Sequence, residues 1–176
     1  MLSNRTWAIV GCSLLVILLI RQEARMSLIE ERLDDIIQVK ESINYSKTDL
    51  DCLTRNIYYE AGVEDHRGKY AVAQVTINRL KTGHWGNTIC KVVYAPKQFS
   101  WTLIRQLPMP NTELWAQSET VARNALSGSR VRGLTKSLYY HATYIRNPTW
   151  ADTQHEVGQI GNHVFYNRAK GSNLAI

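Results

Sequence analysis

The feature that most restricts this chain is an uncharged apolar run from Thr6 to Ile20, bracketed by Arg5 and Arg21. Only Thr6, Gly11, Cys12 and Ser13 interrupt it. As a helix it spans about 22 Å, short of a hydrocarbon core of about 30 Å. Three readings compete. A cleaved signal peptide needs a small-x-small site, and Glu23, Ala24 and Arg25 are poor neighbours for one. Ile9-Val10-Gly11-Cys12 resembles a lipobox, yet most of the apolar stretch lies after that cysteine. A short uncleaved signal anchor fits best. Arg21 and Arg25 on the far side leave its orientation open.

The rest of the 176 residues suffices for one compact domain and an appendage. Residues 21–48 read as an amphipathic helical stalk and a polar junction. Met26, Ile29, Leu33, Ile36, Lys40 and Ile43 alternate spacings of three and four, an a/d seam that offers weak dimer pairing through residues 26–43. The expected division is therefore an anchor at 1–20, a stalk at 21–48 and a globular domain at 49–176.

Within that domain a helix is expected from Ser46–Asp51 onward, where Ser, Thr and Asp can cap it, carrying Leu53, Ile57 and Ala61. From Tyr70 to Leu80 the pattern is ambiguous. Ala71, Ala73, Val75 and Ile77 alternate like a strand, while Ala71, Val72 and Val75 fit a helix face. Residues 111–127 read as a helix with Asn111 as cap, Glu113 in the first turn and Gly128 after the end. Ser137–Tyr144 and His163–Asn167 read as two short strands, with Gly158 and Gly161 in the connection. The fold class is mainly α with a small antiparallel β-sheet.

Charge is unevenly placed. Residues 1–48 balance six Lys and Arg against six Asp and Glu, whereas residues 49–176 carry fifteen against nine. A basic domain favours a polyanionic partner without choosing one. Scattered arginines and the lack of a recognised motif argue against nucleic acid. His66, His84, His141, His155 and His163 show neither a His-x-x-x-His pair nor HExxH, so neither a metal nor any other cofactor is expected. Cys52 and Cys90 fit one disulfide if the domain is exported.

The densest chemistry lies in Asn56-Ile57-Tyr58-Tyr59-Glu60-Ala61-Gly62-Val63-Glu64. Glu60 is a carboxyl group among aromatic and aliphatic neighbours near a helix end. Such a setting disfavours the charged form and keeps a proton available near neutral pH. Glu64, four residues on, would lie beside Glu60 rather than across a substrate from it. We expect it to orient the local loop.

Ile57-Tyr58-x-Glu60-Ala61 is followed by Gly68-x-x-Ala71-Val72-Ala73-x-Val75 and Asn78-Arg79. Then come Asn87-Thr88-Ile89-Cys90-x-Val92-Val93-Tyr94, Gln98-Phe99-Ser100-Trp101 and Leu138-Tyr139-Tyr140-His141-Ala142. Trp150 and Ile160-Gly161-x-His163-x-Phe165-Tyr166 complete the series. In this order the motifs resemble the SleB-type cell-wall hydrolases, the spore cortex-lytic catalytic domains, over nearly all of residues 50–168. The family's Glu-Ala-Arg-Gly-Glu motif reads here Glu60-Ala61-Gly62-Val63-Glu64, without the central Arg-Gly.

The resemblance implies a lysozyme-like or lytic-transglycosylase-like fold with a glycan-binding cleft, peptidoglycan as partner and Glu60 as catalytic acid. It suggests Gln98, Ser100, Tyr140, His141, His163 and Tyr166 as cleft residues and Trp101 and Tyr139 as stacking surfaces for sugar rings, with core packing or strand pairing as the alternative for each. Asn78 and Arg79 are expected to brace the fold. It also implies a Cys52–Cys90 disulfide, with Cys12 free. A wall-cutting domain behind a short apolar segment is similar to phage endolysins of the signal-anchor-release type. The expected location is the inner membrane, held through residues 6–20, with the domain in the periplasm. The expected chemistry is lytic transglycosylation, with muramidase-type hydrolysis, a tethered bacterial wall-remodelling enzyme and a catalytically silent wall-binding or membrane-bound structural protein as the alternatives.

Overall fold

A computed structural model describes residues 16–27 and 43–169. The chain divides into two compact units, Met1–Glu41 and Ser42–Ile176. In the first, residues 16–27 are helical with exposed side chains. No helix of the described residues is long and apolar enough to cross a membrane. The anchor expected at 6–20 lies outside the described residues except for 16–20, and the seam at 26–43 except for 26, 27 and 43.

The second unit begins with Ile43 and Tyr45 packed on a helical core, and the Ile43 amide donates to Leu126 O at 2.9 Å. Helix α1 (Lys47–Ala61) starts at a reciprocal cap: Ser46 Oγ accepts from the Asp49 amide, and Asp49 accepts from the Ser46 amide. Leu50, Leu53, Ile57 and Ala61 form its buried stripe. Helix α2 (His66–Thr82) is capped by Asp65 and ends at Gly83, whose φ of 70° suits a residue without Cβ. Helix α3 (Ile89–Val93) is one short turn behind Thr88. Helix α4 (Thr112–Leu126) begins at Asn111, whose side chain accepts from the Leu114 amide. Short 3₁₀ turns lie at Ser100–Leu103 and Ala151–Thr153.

The ambiguous segment from Tyr70 to Leu80 is helix, and its two faces explain the alternation. Ala73 and Ile77 pack into the helical core with Leu53, Ile57, Phe99 and Val121. Ala71 and Val75 pack into a second cluster with Val131, Leu134 and Phe165 beneath the sheet. Two ladders of spacing four, offset by two residues, mimic the period of a strand.

The sheet is antiparallel with three strands, β1 (Ser137–Ala142), β2 (His155–Ile160) and β3 (His163–Asn167), in the order β1-β3-β2. It matches the expected small antiparallel sheet but adds β2, which the sequence reading treated as connection. Gly161 does sit in the two-residue turn between β2 and β3, at φ 56°. Gly158 instead lies inside β2, at a register shift opposite Phe165.

Buried polar side chains tie α2 to the chain leading into β1. Asn78 Nδ2 donates to Leu134 O at 2.8 Å and to Ser137 O at 2.9 Å, and Arg79 Nε donates to Leu138 O at 2.8 Å. Both residues brace the fold in the expected way. Cys52 and Cys90 are bonded and join α1 to α3.

Candidate active site

Glu60 is the penultimate residue of α1. Its side chain leaves the end of that helix beside β1 and opens on a cleft of about 590 Å³. The cleft is walled by the 97–103 segment on one side and by β1, the loop after it and His163 on the other. Tyr140 Oη donates to Glu60 Oε2 at 3.0 Å.

Burial drives the Glu60 pKa above the ordinary carboxyl value, against the opposing pull of the Tyr140 hydrogen bond and the Arg79 charge. The last turn of a helix adds exposed carbonyl dipoles that also disfavour a negative charge. Glu60 therefore holds its proton to higher pH than an exposed glutamate, as a general acid must. Burial and the neighbouring Glu60 charge push the Tyr140 phenol well above its usual value, so it remains a donor. Arg79 is buried between the rings of Trp85 and Phe99, 5.2 and 5.3 Å from their centroids. Burial lowers its pKa, with Tyr140, Tyr139 and Glu60 opposing.

Gln98, Ser100, Tyr140, His141 and His163 line the cleft with Glu60. His163 is 4% exposed, and its Nδ1 has no hydrogen-bond partner. Burial lowers its pKa and favours a neutral ring. His141 lies 3.0 Å through Nδ1 from Ala142 O and 2.9 Å through Nε2 from Tyr166 Oη. A carbonyl only accepts, so Nδ1 carries a hydrogen, and in the neutral ring Nε2 accepts from Tyr166. Tyr166 is outside the cleft wall and acts from behind, stacked on His141 with centroids 5.5 Å apart.

Two expected stacking surfaces lie elsewhere. Trp101 is 5% exposed, stacks on Tyr59 in the helical core and donates through Nε1 to Asn56 Oδ1. Tyr139 lies on the opposite sheet face from Tyr140, because neighbouring strand residues alternate. It packs against Trp85 and Trp150. The apolar rim is formed instead by Tyr59, Leu103, Tyr144 and Ile145. Tyr144 is 81% exposed and Leu103 78%. Leu103 ends a short 3₁₀ turn and Tyr144 lies in the turn after β1, segments too short for periodicity to mark a residue. Their neighbours Ser100 and His141 in the motif blocks were the only available signal.

Glu64 is not part of the cleft. Its carboxylate accepts from Asn162 N at 3.2 Å and Asn162 Nδ2 at 2.9 Å, which clamps the β2–β3 turn. Glu60 is thus the one carboxylate on the cleft wall among the described residues.

Residues 63–166 match the family described as Cell Wall Hydrolase, and the chain belongs to that family. The matched stretch begins three residues after Glu60. The chain is 28% identical over 124 residues to the spore cortex-lytic enzyme of Oceanobacillus iheyensis, covering 69% of this chain and 42% of that protein. To the spore cortex-lytic enzyme of Bacillus subtilis it is 25% identical over 134 residues, covering 76% and 42%. It spans about two fifths of the length of these relatives. The catalytic domain of the Bacillus cereus SleB protein shares the fold with a TM-score of 0.60 and 26% identity, over 70% of this chain and 93% of that one. The catalytic domain of the germination-specific lytic transglycosylase SleB from Bacillus anthracis gives 0.58 and 25%, over 70% and 98%. These relatives support the SleB-type resemblance drawn from the motifs.

Proposed function

We propose that this chain cleaves peptidoglycan glycan strands between N-acetylmuramic acid and N-acetylglucosamine by lytic transglycosylation, with Glu60 as sole acid and base. The observation that carries the reading is a half-buried, proton-retaining carboxyl with no second carboxylate across the cleft among the described residues. Inverting and retaining glycosidases of the common kind need that second group. A transglycosylase does not. Glu60 gives its proton to the glycosidic oxygen as the bond to C1 breaks. The carboxylate then takes the proton of the muramic 6-hydroxyl as its oxygen bonds to C1. An anhydro ring closes, Glu60 regains its proton and no water is consumed.

The test is direct. The full-length chain in detergent micelles is incubated with purified peptidoglycan beside Glu60→Gln. Released fragments ending in anhydro-muramic acid, lighter by one water than reducing ends, are expected from the unmutated chain alone. Reducing ends would replace transglycosylation by hydrolysis. Unchanged turbidity with the unmutated chain would leave a silent wall-binding protein.

The same reading includes export. The Cys52–Cys90 bond supports it, because disulfides persist in oxidising compartments. We assign the domain to the periplasm, tethered to the inner membrane through residues 6–20, in the role of a phage endolysin. Expression in a bacterial host followed by fractionation checks this. Membrane-bound chain and lysis that Glu60→Gln abolishes are expected; chain found only in the cytoplasm would reject it.

A further inference from the structure

One cation in the cleft has no task in the mechanism above. Pro96 and Lys97 occupy the centre of a turn closed by the Gln98 amide, which donates to Ala95 O. Lys97 has a φ of 61°, and no other described residue except glycine has a positive one. A turn with proline first and positive φ second ordinarily takes glycine at that second place. A lysine held there is strained, and such strain concentrates at binding sites. The side chain lines the cleft that holds Glu60. Among the described residues Lys97 has neither an ion pair nor a hydrogen bond from its ammonium. Among those residues, too, Lys97 and Glu60 are the two charged side chains on the cleft wall.

We propose that Lys97 forms a carboxylate subsite, which binds an acidic group carried by the glycan strand beside the cleavage point. The inference rests on the peptidoglycan reading. Such strands offer two sources of that chemistry, the carboxylates of the stem peptide and, on muramic residues without a stem, the lactyl carboxylate that the peptide bond otherwise occupies. Burial disfavours the charged form of Glu60, and the Lys97 ammonium is the cation on the cleft wall among the described residues. Neutral amino-sugar strands gain nothing from it.

The test uses full-length chain in detergent carrying Glu60→Gln, so that binding is read without cleavage. Co-sedimentation with insoluble peptidoglycan is compared for this chain and for the same chain with Lys97→Met, Lys97→Gly or Lys97→Arg. Lys97→Gly removes the charge while easing the backbone, so its folding is secure. Loss of one exposed ion pair weakens binding about fivefold, and that is expected for Lys97→Met and Lys97→Gly. Lys97→Arg should restore it. Peptidoglycan whose carboxyls have been amidated should bind all four chains equally. Glycan stripped of its peptides should stay sensitive to Lys97 if the lactyl group is the ligand, and become insensitive if the stem is. Lys136→Met serves as a remote control and should change nothing. Equal binding of native peptidoglycan with and without Lys97→Met overturns the subsite alone. The same holds for an equal loss on amidated material or with Lys136→Met. No binding to any form overturns the peptidoglycan reading with it.

Discussion

Tyr140 reaches across from β1 to hold Glu60 Oε2 at 3.0 Å, so the last turn of α1 and the middle of a strand share one proton-bearing group. The phenol stabilises the charged carboxylate, while burial does the opposite. Removing the donor therefore makes Glu60 hold its proton more tightly. In Tyr140→Phe the alkaline limb of the pH–rate profile should move to higher pH. Loss of a hydrogen bond to a charged group should also lower kcat/KM about tenfold at neutral pH. A pH–rate profile on peptidoglycan checks both; an unmoved limb would separate Tyr140 from the acidity of Glu60.

Glu60 also links stability to pH. Its folded pKa is raised, so its contribution is fully present below the unfolded carboxyl pKa and is lost as pH rises through the folded value. Glu60→Gln keeps an acceptor for Tyr140 and removes the buried charge. It should match the unmutated chain in acid and exceed it near neutrality by about 2–4 °C in Tm. Thermal unfolding across pH 4–8 (roughly the range where a raised carboxyl titrates) tests the sign. A variant less stable at neutral pH contradicts it.

Asn78 satisfies two backbone carbonyls, those of Leu134 and Ser137, that no solvent reaches around a buried side chain. Asn78→Ala takes this donor from both, leaving Leu134 O with the Ser137 amide alone. The expected cost is about 2–4 kcal/mol. Urea unfolding should show a lower midpoint with an unchanged slope.

The Cys52–Cys90 bond closes a segment with a sequence separation of 38. Loop-closure entropy predicts about 4 kcal/mol of stabilisation at 25 °C for a loop of that size. Paired replacement of both cysteines by serine should lower Tm markedly, and reductant should bring the unmutated chain down to the same value. Identical melting with and without reductant would contradict the bond.

Much of this was legible because local rules and tertiary packing agree. Ser46 and Asn111 stand where caps are needed, and Leu53, Ile57 and Ala61 repeat at helical spacing. Glu60 was readable from its apolar neighbours and the order of the motifs. Strand β2 was not. His155, Glu156, Gly158 and Gln159 lack a strand's composition, and β3 recruits them through backbone pairing. Trp101 was left between sugar platform and core residue because a large aromatic beside a cleft motif fits either. Only the fold shows that its indole fills the core and serves Asn56. Tyr139 and Tyr140 differ by one step along a strand, and the choice of inward residue depends on register.

The hairpin clamp at Glu64 has a temporal consequence. Strand β1 pairs with β3, and β3 with β2, while Asn162 between them is pinned to the segment just after Glu60. A ribosome finishes the four helices before it makes that hairpin. Until β3 emerges, β1 has no neighbouring strand to set Tyr140 against the carboxyl. The Tyr140–Glu60 bond therefore depends on a strand that is made near the end of synthesis. That bond arrives with the last strand, as a property of completed translation.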